Sequence, residues 1–137
     1  GANSEAVLGT IHGDGGEDVY ERVVSDLGVA PSSFGVTDLL VTLEQGTDGG
    51  RQVRCLEAVR GGEPATFESL FERTADGLTP TGQIERGESA LVNNLANPAE
   101  TYADIHEKLD RRERLLSELA AQDRTSGRDV TDTHERR

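Results

Sequence analysis

Methionine and tryptophan are absent from this 137-residue chain, lysine and cysteine occur once each, and the aromatics are three Phe and two Tyr. Each shortage excludes something. The lone Cys55 rules out an intrachain disulfide, and its place between Arg54 and Leu56 in an apolar stretch reads as a small buried hydrophobe in a reducing compartment. No apolar run approaches the ~20 residues that span a bilayer, so direct membrane insertion is not expected, and no signal peptide is visible. With so few large side chains, the core must be modest and built mostly from Val, Leu and Ala. Translation starts at methionine, so a chain opening on Gly1 reads as an excised or processed segment of a longer protein.

Positive charge is also scarce. Fourteen basic residues face 26 acidic ones, for a net charge of −12, and Lys108 is the only lysine among thirteen arginines. A nucleic-acid binder neutralises phosphates with Lys and Arg, and no basic patch with interleaved aromatics is present. Nucleic acid is therefore not an expected partner. An acid-rich, lysine-poor surface suits concentrated salt, where repulsion is screened. A halophilic source is the expectation.

What is present organises into alternating elements. Residues 6–11 (Ala-Val-Leu-Gly-Thr-Ile) form an apolar run expected to be a central strand, followed by a turn, His12-Gly-Asp-Gly-Gly16. A helix is expected over 17–27, because Val19, Tyr20, Val23, Val24 and Leu27 share a face at helical spacing. Asp14 and Glu17 resemble a capping box, Gly28 suits the position just past the helix, and Pro31 prevents resumption. Residues 31–34 fit a single turn. Residues 38–43 read as a second buried strand, and Gly46 to Gly50 as a hairpin loop. Residues 51–59 alternate polar and apolar, giving a strand with one wet face. After Gly61-Gly62, residues 65–73 supply another strand with Phe67, Leu70 and Phe71. Together these suggest a small antiparallel unit on an α/β core. Residues 74–87 are turn-rich, and 88–96 fit a short helix ended by Asn97-Pro98. Over 100–122, Tyr102, Ile105, Leu109, Leu116 and Leu119 define an amphipathic helix, widened by Leu115 and Ala120. Arg111, Arg112, Glu113 and Arg114 occupy its solvated middle. From Asp123 onward apolar residues almost vanish, and a disordered tail is expected.

Few residues offer chemistry. His12 ends an apolar strand before a Gly-rich turn and a helix, where α/β proteins gather ligands. An imidazole there can donate a hydrogen bond to a phosphate, although a lone histidine at a strand end also serves structure. Gly13 to Gly16 lack the Gly-x-x-x-x-Gly-Lys-Ser/Thr pattern of a phosphate loop. Residues 38–44 superficially resemble a Walker B strand ending in Glu44, but no phosphate loop precedes them. His12, His106 and His134 have no metal-ligand spacing with Cys55 or each other, and no serine sits in a nucleophile elbow. No self-contained catalytic constellation is present.

The ordered series of segments is more specific than any one. Ala6-Val-Leu-Gly-Thr-Ile-His12 resembles the His box of type II/IV secretion-system ATPases, a strand ending in Thr-x-His before a small-residue turn. Residues 17–27, with Arg22, resemble the helix after that box. Val29-Ala-Pro-Ser-Ser-Phe34 and Thr37-Asp-Leu-Leu-Val-Thr-Leu43 resemble the next loop and strand. Arg51 to Val59, ending Leu56-Glu-Ala-Val59, is similar to the family's basic-plus-apolar strand, and Phe67-Glu-Ser-Leu-Phe71 to the one after it. Tyr102 to Leu119, with Arg111-Arg-Glu-Arg-Leu-Leu116, resembles the terminal helix of archaeal members.

The resemblance covers residues 1–122. It implies an α/β fold: the C-terminal part of a RecA-like P-loop core with the His box (1–62), a β extension and short helix (63–99), a C-terminal helix (100–122) and a tail (123–137). The family forms hexameric rings that use ATP and Mg2+ for secretion, pilus or archaellum assembly. Implied partners are therefore further copies of the chain and a membrane-embedded platform protein, at the cytoplasmic face of the membrane. By the same resemblance His12 would lie near the γ-phosphate as catalytic sensor, Thr10 would shape the strand end, and Arg22 would make an ion pair or subunit contact. The family's phosphate loop, Walker B strand and acidic box are not in this sequence, so the chain alone is expected to need no cofactor and to hydrolyse no ATP. A truncated core would also expose sheet edges and self-associate. The rival reading is a non-enzymatic interaction module that docks through the Arg-bearing helix, with His12 incidental.

The charge pattern yields the first test. Lowering salt from about 1 M to about 0.01 M lengthens electrostatic screening from about 3 Å to about 30 Å. The melting temperature of the chain should fall steadily across that range, and full stability in dilute buffer would contradict the halophilic expectation.

Overall fold

The computed structural model describes residues 6–135, and it is a mixed helix-and-sheet protein. In chain order the elements are α1 (Gly16–Glu21), a π-helical turn (Arg22–Asp26), α2 (Pro31–Phe34), β1 (Leu39–Gln45), β2 (Arg51–Arg60), β3 (Thr66–Thr74), β4 (Gly77–Pro80), α3 (Ala90–Asn94), α4 (Tyr102–Ala121) and α5 (Gly127–Glu135). The chain divides into two compact units, Gly1–Gln83 and Ile84–Arg137.

In the first unit the four strands form one antiparallel sheet in the order β1-β2-β3-β4. Short turns set that order. At the first hairpin Gly46 donates to the Gly50 carbonyl at 2.7 Å, and Gly49, with φ of 82°, takes a left-handed conformation costly to other residues. Two bulges shape the sheet. Thr42 pairs with Cys55 but Leu43 with Val53, leaving Arg54 as the extra residue, and Leu70 is extra between the Leu56–Phe71 and Glu57–Ser69 pairs.

One face of this sheet carries the helices. Val19, Phe34 and Ala65 are buried, with Tyr20, Val23, Val24, Leu40, Val59 and Phe67 packed against them. The rings of Tyr20 and Phe34 meet edge to face at 5.1 Å, and Phe34 meets Phe67 at 6.2 Å, geometries that aromatic quadrupoles favour. The helical spacing of Val19, Tyr20, Val23 and Val24 thus marks the buried face, as the sequence implies. The helix starts at Gly16 and turns π-helical at Arg22, where the Leu27 amide reaches back to the Arg22 carbonyl. Gly28 follows with φ of 69°, the expected stop.

Two strand expectations are corrected. Residues 6–11 form no strand; they are exposed and pair with no sheet residue among those described. A β-strand exists only through its neighbours, and the sheet supplies none here. β1 forms, but it is not buried on both sides. Leu40 and Thr42 turn inward, whereas Leu39, Val41 and Leu43 are exposed on the other face.

In the second unit, α3 and α5 both lie against α4. Ser89 caps α3 by accepting from the Val92 amide at 3.3 Å. Ile105 and Leu119 of α4 are buried, and Tyr102, Leu109 and Leu115 half-buried. Leu116 and Ala120, expected on the same stripe, face water instead. Gly127–Glu135 is helical, where the low apolar content leads one to expect a structureless tail. The reason is local: Ser126 Oγ accepts from the Asp129 amide and donates to its carboxylate at 2.6 Å, a cap that needs no core.

α4 begins in a reciprocal cap. Thr101 Oγ1 accepts from the Asp104 amide, and Asp104 Oδ2 accepts from the Thr101 amide at 2.8 Å and hydroxyl at 2.9 Å. The Thr101 amide bond first, and its hydroxyl second, hold the Asp104 carboxyl below the ordinary aspartate value of 3.8. A carboxylate lowered on folding stabilises fully above its unfolded value and loses that contribution as pH falls through the folded one. Asp104→Ala should therefore reduce far-UV helicity relative to the parent chain at neutral pH, and the gap should close on acidification below 3.8. A gap unchanged in acid would exclude the ionised cap as its source.

Candidate functional site

A cleft of about 970 Å³ in the first unit lies between the start of α1 and the start of β3. Its floor is Pro64, Ala65 and Phe67, and its rim is Asp14, Glu17, Asp18, Glu57 and Arg22. Gly16 allows this closeness: a Cβ there would sit 2.4 Å from Phe67 Cδ1. Backbone and ring therefore meet directly, and the first helical turn is seated on the sheet.

The start of α1 is held from across the fold. The Gly16 amide donates to Glu57 Oε2 at 2.8 Å, placing a carboxylate on an otherwise unpaired helical N–H. Arg54 Nη2 donates to the Asp14 carbonyl at 2.6 Å and lies 3.2 Å from Asp14 Oδ1. Arg54 is the extra residue of the β2 bulge, and its guanidinium and Glu57 both reach residues 14–16. The capping box expected from Asp14 and Glu17 does not form. Gly15 is the N-cap and makes no side-chain bond, while the Asp14 amide donates to Asp18 Oδ2 at 2.8 Å. That amide bond first, opposed by partial burial and aided by Arg22, lowers the Asp18 carboxyl below its ordinary value.

The three residues singled out from sequence are not brought together around this cleft. Thr10 and His12 lie exposed on the irregular segment before α1, and neither lines the cleft. Arg22 does line it, with Nε 3.2 Å from Asp18 Oδ2 in an exposed ion pair. Glu44, the end of the Walker B look-alike, accepts from Gln52 Nε2 at 2.9 Å and lies 3.8 Å from Arg73 Nε. It is thereby engaged in holding β1, β2 and β3 together. Cys55 is half-buried, its Sγ 3.9 Å from Glu57 Oε2.

A nucleotide polyphosphate does not fit the cleft. Four carboxylates and one guanidinium surround it, and the repulsion this presents to a polyanion is the opposite of a phosphate cradle. Lys108, the sole lysine, is ion-paired with Glu100 in the second unit. Among the described residues, no group of three or more His, Cys, Asp or Glu side chains could hold a metal ion. Sequence reasoning missed Glu57 and Arg54, whose partners lie about 40 positions away.

Two substitutions test how the cleft is held. Gly16→Ala would push a methyl into the Phe67 ring, and overpacking of this kind costs about 1–3 kcal/mol. Glu57→Ala should cost about 1 kcal/mol by freeing the Gly16 amide, with most of the loss avoided in Glu57→Gln, which keeps an acceptor. Urea unfolding measures both; equal losses for the two Glu57 variants would show that the acceptor is not what matters.

No protein-family model matches this chain, and neither a curated protein nor a solved structure matches it.

Proposed function

We propose that the chain is the part of a type II/IV secretion, pilus or archaellum ATPase that follows its phosphate loop. One observation carries this reading. Residues 6–11 are apolar and β-prone, yet Val7 and Leu8 are 90% and 96% exposed on a segment without regular secondary structure that ends at His12 and leads into a helix seated on a sheet. An apolar run of this kind is stable only when neighbouring strands cover it. In the proposal those neighbours belong to a RecA-like nucleotide core, and β1 to β4 extend that core as an antiparallel sheet. Thr10 shapes the strand end, His12 faces the γ-phosphate side of a pocket formed elsewhere in the protein, and Arg22 packs between subunits. ATP and Mg2+ are held by those other residues, in a six-membered ring at the cytoplasmic face of the membrane, working against a membrane-embedded platform. Among the described residues, no helix is long and apolar enough to cross a membrane itself.

A specific observation also favours a second reading. Arg111, Arg112 and Arg114 are all exposed on α4, and Arg112 lies one turn from an exposed Leu116, a basic and apolar pairing that would suit an acidic protein partner. In this reading His12 has no role.

The encoding frame separates the two. The ATPase reading requires a Gly-x-x-x-x-Gly-Lys-Ser/Thr loop about 100 to 150 residues before Gly1, the span of such a core; an unrelated domain there leaves the interaction module. In the complete ATPase, His12→Ala should abolish most turnover while ATP binding is kept, and unchanged turnover would remove His12 from the mechanism. The 137-residue chain should show no magnesium-dependent ATP hydrolysis.

A further inference from the structure

The sheet has two outer edges, and only one is protected. β4 is four residues long and ends in Pro80, the short, proline-bearing edge that resists strand addition. β1 is seven residues long, has neither proline nor lysine, and is free of charge from Leu39 to Leu43. Its backbone is also turned outward. Val59 donates to the Asp38 carbonyl at 3.0 Å, so Asp38 and Val59 are a hydrogen-bonded pair of the β1–β2 ladder. Alternation then makes Leu39–Ala58 and Val41–Leu56 non-bonded pairs, with the amides and carbonyls of Leu39 and Val41 directed to the open edge. Leu39, Val41 and Leu43 also present half-exposed side chains on the face away from α1.

The same unit holds a second unmet element, residues 6–11. It too is uncharged, and drawn out at roughly 3.3 Å per residue its six residues would match the open length of β1. A second copy carries the same net charge of −12 and is repelled wherever acidic surfaces meet, so it can approach closely only along uncharged stretches such as these.

We propose that residues 6–11 of one copy add as a strand to the open edge of β1 in a second copy. Backbone bonds to Leu39 and Val41 supply the attachment. Val7 and Ile11, which share a face of the added strand, meet the apolar stripe of Leu39, Val41 and Leu43, and exchange in both directions covers both elements. Salt strengthens the pairing by screening acidic repulsion. The inference does not rest on the ATPase reading and competes with it for residues 6–11, because it follows from two unmet elements within this chain.

Sedimentation of the 137-residue chain over a range of concentrations is the test, with two variants at exposed positions, Val7→Asp and Val41→Lys. The parent chain should associate, more strongly in high salt. Each variant alone should associate about tenfold more weakly or not at all. Mixing them should restore a mixed pair, because Val7→Asp keeps an intact β1 edge and Val41→Lys keeps an intact strand. Independently of either variant, the amides of Leu39 and Val41 should gain hydrogen-exchange protection as the parent is concentrated. A parent that stays monomeric, variants that associate as it does, or a mixture no stronger than its parts would overturn the proposal. So would loss of association in Val41→Lys alone, since that outcome assigns the edge to a second β1.

Discussion

The first unit depends on the contact between Phe67 and the bare backbone of Gly16. With three Phe in the whole chain, two of them spend their surface on one row, Tyr20 to Phe34 to Phe67. The row fastens α1, the π-helical turn and α2 to one face of the sheet. Glu57 and Arg54 then fix where the helix begins. The bulge at Arg54 contributes to this: regular alternation would turn Arg54 to the face that carries Leu56 and Ala58, away from α1. The acidic cleft beside the row is a by-product of these attachments, which is why Asp14, Asp18 and Glu57 are already engaged with amides or guanidinium groups.

The opposite face and the edge of β1 follow a different logic. Leu39, Val41 and Leu43 stay half-exposed, and no described residue pairs with residues 6–11. In a protein with so little apolar surface to spend, two uncharged β-prone stretches left in water mark contacts that the unit does not satisfy by itself. The ATPase reading and the strand-exchange reading give different answers to the same deficit. One places the missing strands in a larger core, and the other in a second copy.

What the sequence disclosed was governed by distance along the chain. The face of Val19, Tyr20, Val23 and Val24, the stop at Gly28, the hairpin at Gly46 and the span of α4 were legible, because periodicity and turn chemistry are local. The mixed α and β character followed from them. Glu57 was invisible, since one acid among 26 gives no hint that it caps a helix 41 positions earlier. Residues 6–11 were read as a strand on composition alone, although pairing is what makes a strand. The stripe of α4 was drawn too wide: of Leu115, Leu116 and Ala120 only Leu115 is even half-covered, because adjacent leucines satisfy the same period about equally well. α5 was different: Ser126 and Asp129 lie three apart, so the signal was present and low apolar content outweighed it. Thr10, His12 and Arg22 came from resemblance, and of these the fold places only Arg22 at the cleft.

The two tyrosines are divided evenly. Tyr20 sits edge-on to Phe34 in the first unit, and Tyr102 donates its hydroxyl to the Ile84 carbonyl at 2.7 Å in the second. With no tryptophan to mask them, each unit carries one intrinsic chromophore of its own. Ultraviolet emission from chains that retain a single tyrosine would follow each unit separately, without any attached label.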